Sequence, residues 1–234
     1  MSASSATQPR LAARLGGASA LALACAVFAA PAAAEVELSF YGGWQTSPHS
    51  RATGTYGSGP NAGDSFNELF GWDGKSFEMP PYYGARLTSW RNEAWGWGVE
   101  FSHDKAYAPE GEMAAAGFDR LEFTDGHNII TANISRRWLD AWGSATPYVS
   151  AGLGFAMPHV DVTPTGGDHT FGYQVTGPAA RLTAGVNYPL NDRWSVFGEY
   201  QFTWSDNSAE LEGGGSLDTR LITNALNVGV GFKF

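Results

Sequence analysis

All five histidines of the chain lie in or beside its long polar segments, close to several carboxylates. The histidines are His49, His103, His127, His159 and His169, and the neighbouring acids are Glu78, Asp104, Glu122, Asp125 and Asp161. Neutral imidazole together with carboxylate oxygen can hold a divalent metal such as zinc, manganese, iron or cobalt. No two histidines have a tight ligand spacing such as His-x-x-x-His. The alternative is therefore that these are ordinary polar side chains of external loops.

A second candidate group is a repeated arrangement of arginine and glutamate. The tetrapeptide Ala-Arg-Leu-Thr occurs around Arg86 and again around Arg181, and each copy precedes a segment with tryptophan five residues before glutamate. If each pair of segments is a hairpin, Arg86 faces Glu100 directly, and Arg181 is a diagonal neighbour of Glu199. Buried charges are tolerated when they are paired. The four residues fit either structural ion pairs that fix strand register and close a pore, or a path for protons or solutes.

The elements that carry these residues are predicted to be β-strands. Eight segments alternate apolar and polar residues with a period of two. They cover residues 36–45, 82–90, 95–103, 127–138, 147–157, 173–188, 194–204 and 220–234. The connections alternate between short turns and long, glycine-rich, polar loops. An even number of strands with this pattern is typical of an outer-membrane barrel.

The composition of the two strand faces predicts which face meets lipid. One face of most strands carries large aromatic residues, and the other is rich in glycine, serine and threonine. Small residues suit the narrow lumen of an eight-stranded barrel, so we expect the apolar face outside and both glutamates inside. Tryptophans near the strand ends predict aromatic girdles at the two membrane interfaces. The girdle residues are Trp90, Trp95, Trp138 and Trp194 at the short turns, and Trp44 and Trp204 at the long loops.

The first 34 residues are predicted to be a secretory signal peptide. Arg10 and Arg14 precede an apolar run at 18–30, and three alanines precede Glu35. Cys25, the one cysteine of the chain, lies in this run, so a lipoprotein cleavage is the alternative. The chain has a formal net charge of −9, which argues against nucleic acid as a partner. We therefore predict an all-β protein whose residues 35–234 form an eight-stranded antiparallel up-and-down transmembrane barrel, monomeric, in the outer membrane.

Several motifs resemble those of small barrels identified as lipid A oxidases. They are Phe77-Glu-Met-Pro-Pro-Tyr-Tyr-Gly84, Leu121-Glu-Phe-Thr-Asp-Gly126, Thr176-Gly-Pro-Ala179, Trp194-Ser-Val-Phe-Gly-Glu-Tyr200 and Thr223-Asn-Ala-Leu-Asn227. The resemblance covers most of residues 35–234. It implies an outer-membrane oxidoreductase that uses O₂, with metal assistance, to convert the proximal glucosamine of lipid A to 2-aminogluconate. The C-terminal Phe234, after alternating apolar residues, resembles the signal that the barrel assembly machinery recognises.

The resemblance supplies no catalytic residues, so the site is predicted from placement. Lipid A occupies the outer leaflet, at the height of the long-loop strand ends, where Tyr82, Tyr83 and the histidines are expected. The predicted site contains His103, His127 and His159 as metal ligands, with Asp125 or Glu78. The alternative function is a non-enzymatic, structural or adhesive surface barrel that resembles the OmpA transmembrane domain.

Overall fold

The computed structural model describes residues 35–139 and 141–234, without the side chains of Thr124 and Asp125. The predicted signal peptide, residues 1–34, lies outside the described residues. The strands are β1 (Glu35–Thr46), β2 (Ser50–Thr55), β3 (Ser65–Phe70), β4 (Tyr83–Trp90), β5 (Trp95–Tyr107), β6 (Phe118–Arg137), β7 (Thr146–Ala156), β8 (His159–Pro164), β9 (Thr170–Tyr173), β10 (Gly177–Pro189), β11 (Trp194–Leu211) and β12 (Gly215–Lys233). A short helix, α1 (Glu110–Ala115), precedes β6. Among the described helices, none has the length and apolarity that a membrane crossing needs.

Eight antiparallel strands close into a ring in the order β1-β4-β5-β6-β7-β10-β11-β12 and back to β1. Starting from Ser39 and moving from each residue to the residue that pairs with it on the next strand leads around the ring to Leu221 on β12. Ser39 itself pairs with Gly231, ten residues further along the same strand. A stagger of this kind requires the strands to tilt as they close the barrel. The predicted eight-stranded antiparallel barrel is thus confirmed.

The polarity of the barrel is inverted relative to a water-soluble protein. Its exposed outer surface, here called the belt, is apolar and includes Phe40, Trp97, Val99, Leu153, Leu182, Leu226 and Val228. Its buried inner face is polar and includes Ser39, Glu100, Thr131, Asn133, Arg181 and Gln201. Water would disfavour so much exposed hydrocarbon, whereas lipid favours it. Strand ends on the outer face carry Trp44, Trp95, Trp138 and Trp194, all exposed, and the half-buried Trp204.

Two aromatic residues predicted to lie at the membrane interfaces are buried inside instead. Trp90 shares the inward side of β4 with Arg86, is 7% exposed, and donates from Nε1 to Glu37 Oε2 at 3.2 Å. Tyr82 donates from its hydroxyl to Gln201 Oε1 at 3.3 Å. Period two explains the tryptophan, because positions 86 and 90 of a strand point to the same side.

Above the barrel, the segments predicted to be long polar loops form a second folded region, here called the head. It contains β2, β3, α1, β8, β9 and the upper parts of β5, β6, β11 and β12. One sheet edge, β11-β12-β2-β3, packs against the other, β5-β6-β8-β9, around an apolar core. The core includes Tyr56, Phe66, Phe70, Trp72, Phe118, Leu121, Phe123, Val160, Val162, Leu211, Leu217 and Leu221. The long loops are therefore ordered by their own apolar residues.

Candidate functional site

A charged network crosses the lumen of the barrel. Arg86 on β4 donates from Nε to Glu100 Oε2 at 2.9 Å, and from Nη2 to Glu199 Oε1 on β11 at 2.9 Å. Arg181 on β10 lies 3.4 Å from Glu100. Glu199 thus pairs with Arg86 rather than with its predicted neighbour Arg181. The pairing crosses the lumen, because β1 and β12 lie between β4 and β11 in the closed ring.

Neutral side chains complete the coordination of both carboxylates. Glu100 accepts hydrogen bonds from Tyr41, Asn133 and Gln201, and Glu199 accepts them from Tyr148 and Asn227. These donor–acceptor distances run from 2.5 to 3.1 Å. Ionised carboxylates in a poorly hydrated site need such donors as well as cations. These neutral donors had only a weak signal in the sequence, namely their position on the inward face of the strands.

Below this network the lumen contains a cavity of about 320 Å³. Its walls include Glu37, Trp90, Arg137, Tyr148 and Phe197, and Arg86 forms part of its lining. The network therefore forms the upper boundary of a cavity at the short-turn end of the barrel. Arg137 Nη1 pairs with Glu35 at 2.6 Å at this end.

His103 lies on the outer side of the wall, above the belt residue Phe101 on β5. Its ring stacks on Tyr83 with centroids 5.1 Å apart, and its Nδ1 is 3.0 Å from Asn128 Oδ1. Gly126 packs against this ring: a Cβ there would lie 2.2 Å from Nδ1, and the glycine has a φ of +95°. The glycine at the end of the Leu121–Gly126 motif thus lets β6 bulge beside His103.

His127 points into the interior, above the membrane-spanning part of β6. Its Nε2 lies 3.0 Å from Ser205 Oγ and 3.1 Å from Asn207 Oδ1. Thr176 donates to the same asparagine oxygen at 2.8 Å. Burial lowers the pKa of His127 to about 4, although the contact with Asn207 opposes this shift. The side chain is therefore a neutral member of a polar layer between the barrel and the head.

His159 belongs to a group on the outer wall of the head, here called the outer-wall cluster. The cluster contains Arg120, Glu122, His159, Asp161 and His169. Asp161 is buried, and its two oxygens lie 2.7 Å from His169 Nε2 and 2.7 Å from Arg120 Nε. Arg120 also pairs with Glu122. The ring of His159 packs edge-on against Phe171 and Tyr173.

The structure does not bring the three predicted metal ligands together. His103 and His159 lie on the outer side of the wall, and His127 lies on the inner side, because period two gives these positions opposite orientations. Glu78 is exposed on the segment before β4 and pairs with Lys75 at 3.7 Å. Asp125 has a side chain outside the described residues. Over the described part of the chain, no three His, Cys, Asp or Glu side chains are arranged to hold a metal, so these residues do not fit a three-histidine metal centre.

Residues 20–234 match the family model of the outer membrane protein beta-barrel domain. The chain belongs to this family. Its place is the outer membrane, so the short turns face the periplasm and the head faces the exterior, as in other such barrels. No curated protein matches the sequence significantly.

Solved barrels resemble this outer-membrane barrel in fold at low sequence identity. Neisserial surface protein A is 16% identical, with 86% of this chain and 97% of that chain covered and a TM-score of 0.46. OprG from Pseudomonas aeruginosa is 11% identical, with 88% and 97% covered and a TM-score of 0.46. AlkL, solved in lipid bilayers, is 14% identical, with 86% and 90% covered and a TM-score of 0.47.

The orientation of the outer-membrane barrel gives the outer-wall cluster its surroundings. His159 begins β8, four positions after the outward-facing Phe155 near the end of β7. The cluster therefore lies on the outer surface, just above the lipid-facing belt. That is the height of lipid headgroups in the outer leaflet.

Proposed function

We propose that this outer-membrane barrel is a lipid A oxidase that acts at its outer wall and converts the proximal glucosamine to 2-aminogluconate. The observation that carries the proposal is the outer-wall cluster, in which the buried Asp161 holds His169 at 2.7 Å beside the lipid surface. A headgroup can reach this surface from the leaflet without leaving the membrane. The resemblance of the sequence motifs to lipid A oxidases supports the choice of reaction.

The reaction would need a base at the sugar. Oxidation of the hemiacetal carbon of glucosamine to a lactone removes two electrons and two protons. O₂ accepts them as hydrogen peroxide, and water then opens the lactone to the acid. His169, half exposed and hydrogen-bonded to a buried carboxylate, is the group that would accept the hydroxyl proton. The Nδ1 of the neighbouring His159 is buried and has no hydrogen-bond partner among the described residues.

The lumen is a poor alternative location for this chemistry. The charged network of Arg86, Glu100 and Glu199 crosses it, and the apolar core of the head lies above. A sugar headgroup would have to displace both. The outer wall requires no such opening, which favours it as the site.

The test is mass spectrometry of lipid A from a strain that lacks the protein, with and without the protein expressed under aerobic growth. We expect a gain of one oxygen on the sugar in the presence of the protein. The variant His169→Gln should abolish this gain, whereas His49→Gln, an exposed histidine elsewhere, should leave it unchanged. Unaltered lipid A from cells with folded protein in the membrane would contradict the proposal.

A second candidate function is a structural surface barrel without catalysis. It is favoured by the charged network across the lumen and by the packed head, which suit a closed and stable display scaffold. In that case planar bilayers should show no conductance, lipid A should be unaltered, and loss of the protein should sensitise cells to detergent. An oxygen gain on lipid A would reject this candidate.

A further inference from the structure

The wall of the barrel has a notch above β4. This strand begins at Tyr83, whereas its neighbours reach Thr46 on β1 and Tyr107 on β5. The preceding segment, residues 73–82, occupies the vacant place in the wall. Asp73 exchanges two backbone hydrogen bonds with Tyr107, of 2.8 and 3.1 Å. The segment therefore continues the wall in irregular form.

The tip of this segment, residues 76–79, is an apolar protrusion that we call the lip. Phe77 is 77% exposed and Met79 is 85% exposed. Both are more exposed than most residues of the belt, yet they lie in a segment that is hydrogen-bonded on either side. Two neighbouring exposed apolar side chains in an ordered segment can form part of an interaction surface when they adjoin a larger apolar one such as the belt.

Polar groups of the barrel hold the lip in place. Ser76 Oγ accepts a hydrogen bond from the backbone of Gln45 at 2.9 Å and donates one to it at 3.2 Å. Lys105 Nζ donates to the carbonyl oxygens of Lys75 at 3.1 Å and Glu78 at 2.8 Å. These bonds fix the backbone on both sides of Phe77. The apolar side chains are thus held outward by the backbone and do not reach the core of the head.

The height of the lip is set by its neighbours. Gln45, which bonds to Ser76, follows Trp44 of the upper girdle. Tyr83, four residues after Met79, is exposed on the belt. The lip is therefore continuous with the lipid-facing surface at the boundary between acyl chains and headgroups, where aromatic residues and exposed charges such as Lys75 and Glu78 are both accommodated.

We propose that the lip inserts into the outer leaflet and contacts lipid acyl chains, so that it completes the aromatic girdle at the long-loop end, above the first residue of β4. Apolar side chains at this depth bury hydrocarbon that would otherwise face water, and this fixes the height of the notched side of the barrel. The partner of the surface is the lipid itself. This inference requires no catalytic activity and is independent of the proposed reaction.

The cysteine-free region 35–234 allows a direct test with single spin labels. Variants Phe77→Cys and Met79→Cys are labelled with a nitroxide in vesicles of dioleoyl phosphatidylcholine, and collision rates with oxygen and with a nickel chelate are measured. Two controls bracket the result: Val228→Cys, 72% exposed on the belt, and Leu69→Cys, 52% exposed on β3 of the head.

We expect oxygen-to-nickel ratios at positions 77 and 79 that lie well above that of position 69, and at or below that of position 228. Ratios equal to that of Leu69→Cys at both positions would overturn the proposal. Since both side chains are exposed, neither substitution should impair folding, and retained heat-resistant mobility on gels checks this. The two positions are tested separately, so one folded variant suffices for the measurement.

Discussion

The barrel and the head are built from the same long strands but have opposite polarity. On the inward side of β6, Thr131 and Asn133 are polar within the barrel, whereas Leu121 and Phe123 are apolar within the head. The strand direction and the alternation continue through both regions. What changes is the medium outside, which is lipid around the barrel and water around the head. Each region exposes the side chains that its surrounding medium solvates and buries the others.

The change occurs at one level on several strands. On β11 the inward residues from Glu199 to Asn207 are polar, whereas Ala209 and Leu211 are apolar, and on β12 the inward Leu221 is followed by the polar Thr223. On β6 a bulge that contains Gly126 separates the two patterns. It lies between the pairs Asp104–His127 and Ala106–Phe123, where β6 has two more residues than β5. The level of this change is where water replaces lipid outside.

The largest expected effect comes from removing the cation shared by the barrel network. Arg86→Met leaves Glu100 and Glu199 buried with reduced compensation, and we expect a loss of about 5 kcal/mol in the free energy of unfolding. The matched control is Arg220→Met, which removes an exposed pair with Asp206 and should cost less than about 1 kcal/mol. Urea unfolding in lipid vesicles measures both. Equal, small losses would show that the polar interior does not hold the barrel together.

The next effect tests whether the head depends on apolar packing, unlike the barrel. Phe123 is buried between the rings of Trp72 and His127, so Phe123→Ala should destabilise the head by about 4 kcal/mol. The change should appear as faster proteolysis of the head while the barrel keeps its heat-resistant mobility. Leu153→Ala on the belt is the control, because lipid can fill the space it leaves. Similar proteolysis of the two variants would contradict a separate apolar core.

The barrel was predictable because its signals are local. Eight runs of period two gave the strands, and a short turn placed Arg86 opposite Glu100. The pairing of Arg86 with Glu199 was not predictable from neighbouring segments, because it depends on the ten-residue stagger of the closed ring.

The head and the histidines show what sequence reasoning missed. Alternation is present around Leu121, Val160 and Leu217, but these runs are short and interrupted by glycine and polar residues, so they resembled loops. The period of two within the predicted strands 95–103 and 127–138 places His103 on the outward side with Phe101, and His127 on the inward side with Thr131. The sequence therefore predicts that His103 and His127 lie on opposite sides of the wall. The contact of Asp161 with His169 was not predictable, because it depends on a local turn in the head.

The smallest expected effect concerns the polar layer where the two regions meet, and it depends on pH. The pKa of His127 is about 4 in the folded protein because the ring is buried, against about 6.5 in an unfolded chain. A lowered folded pKa means that protons bind the unfolded chain preferentially between these values. The contribution of this neutral ring is fully present above pH 6.5 and declines as the pH falls toward 4, by at most about 3 kcal/mol. Urea unfolding of wild type and His127→Gln between pH 7 and 4.5 measures it as the difference in slope, since other acid-sensitive groups affect both proteins equally. Parallel slopes would mean that the ring is hydrated in the folded state, and that water from the head reaches the layer above the charged network.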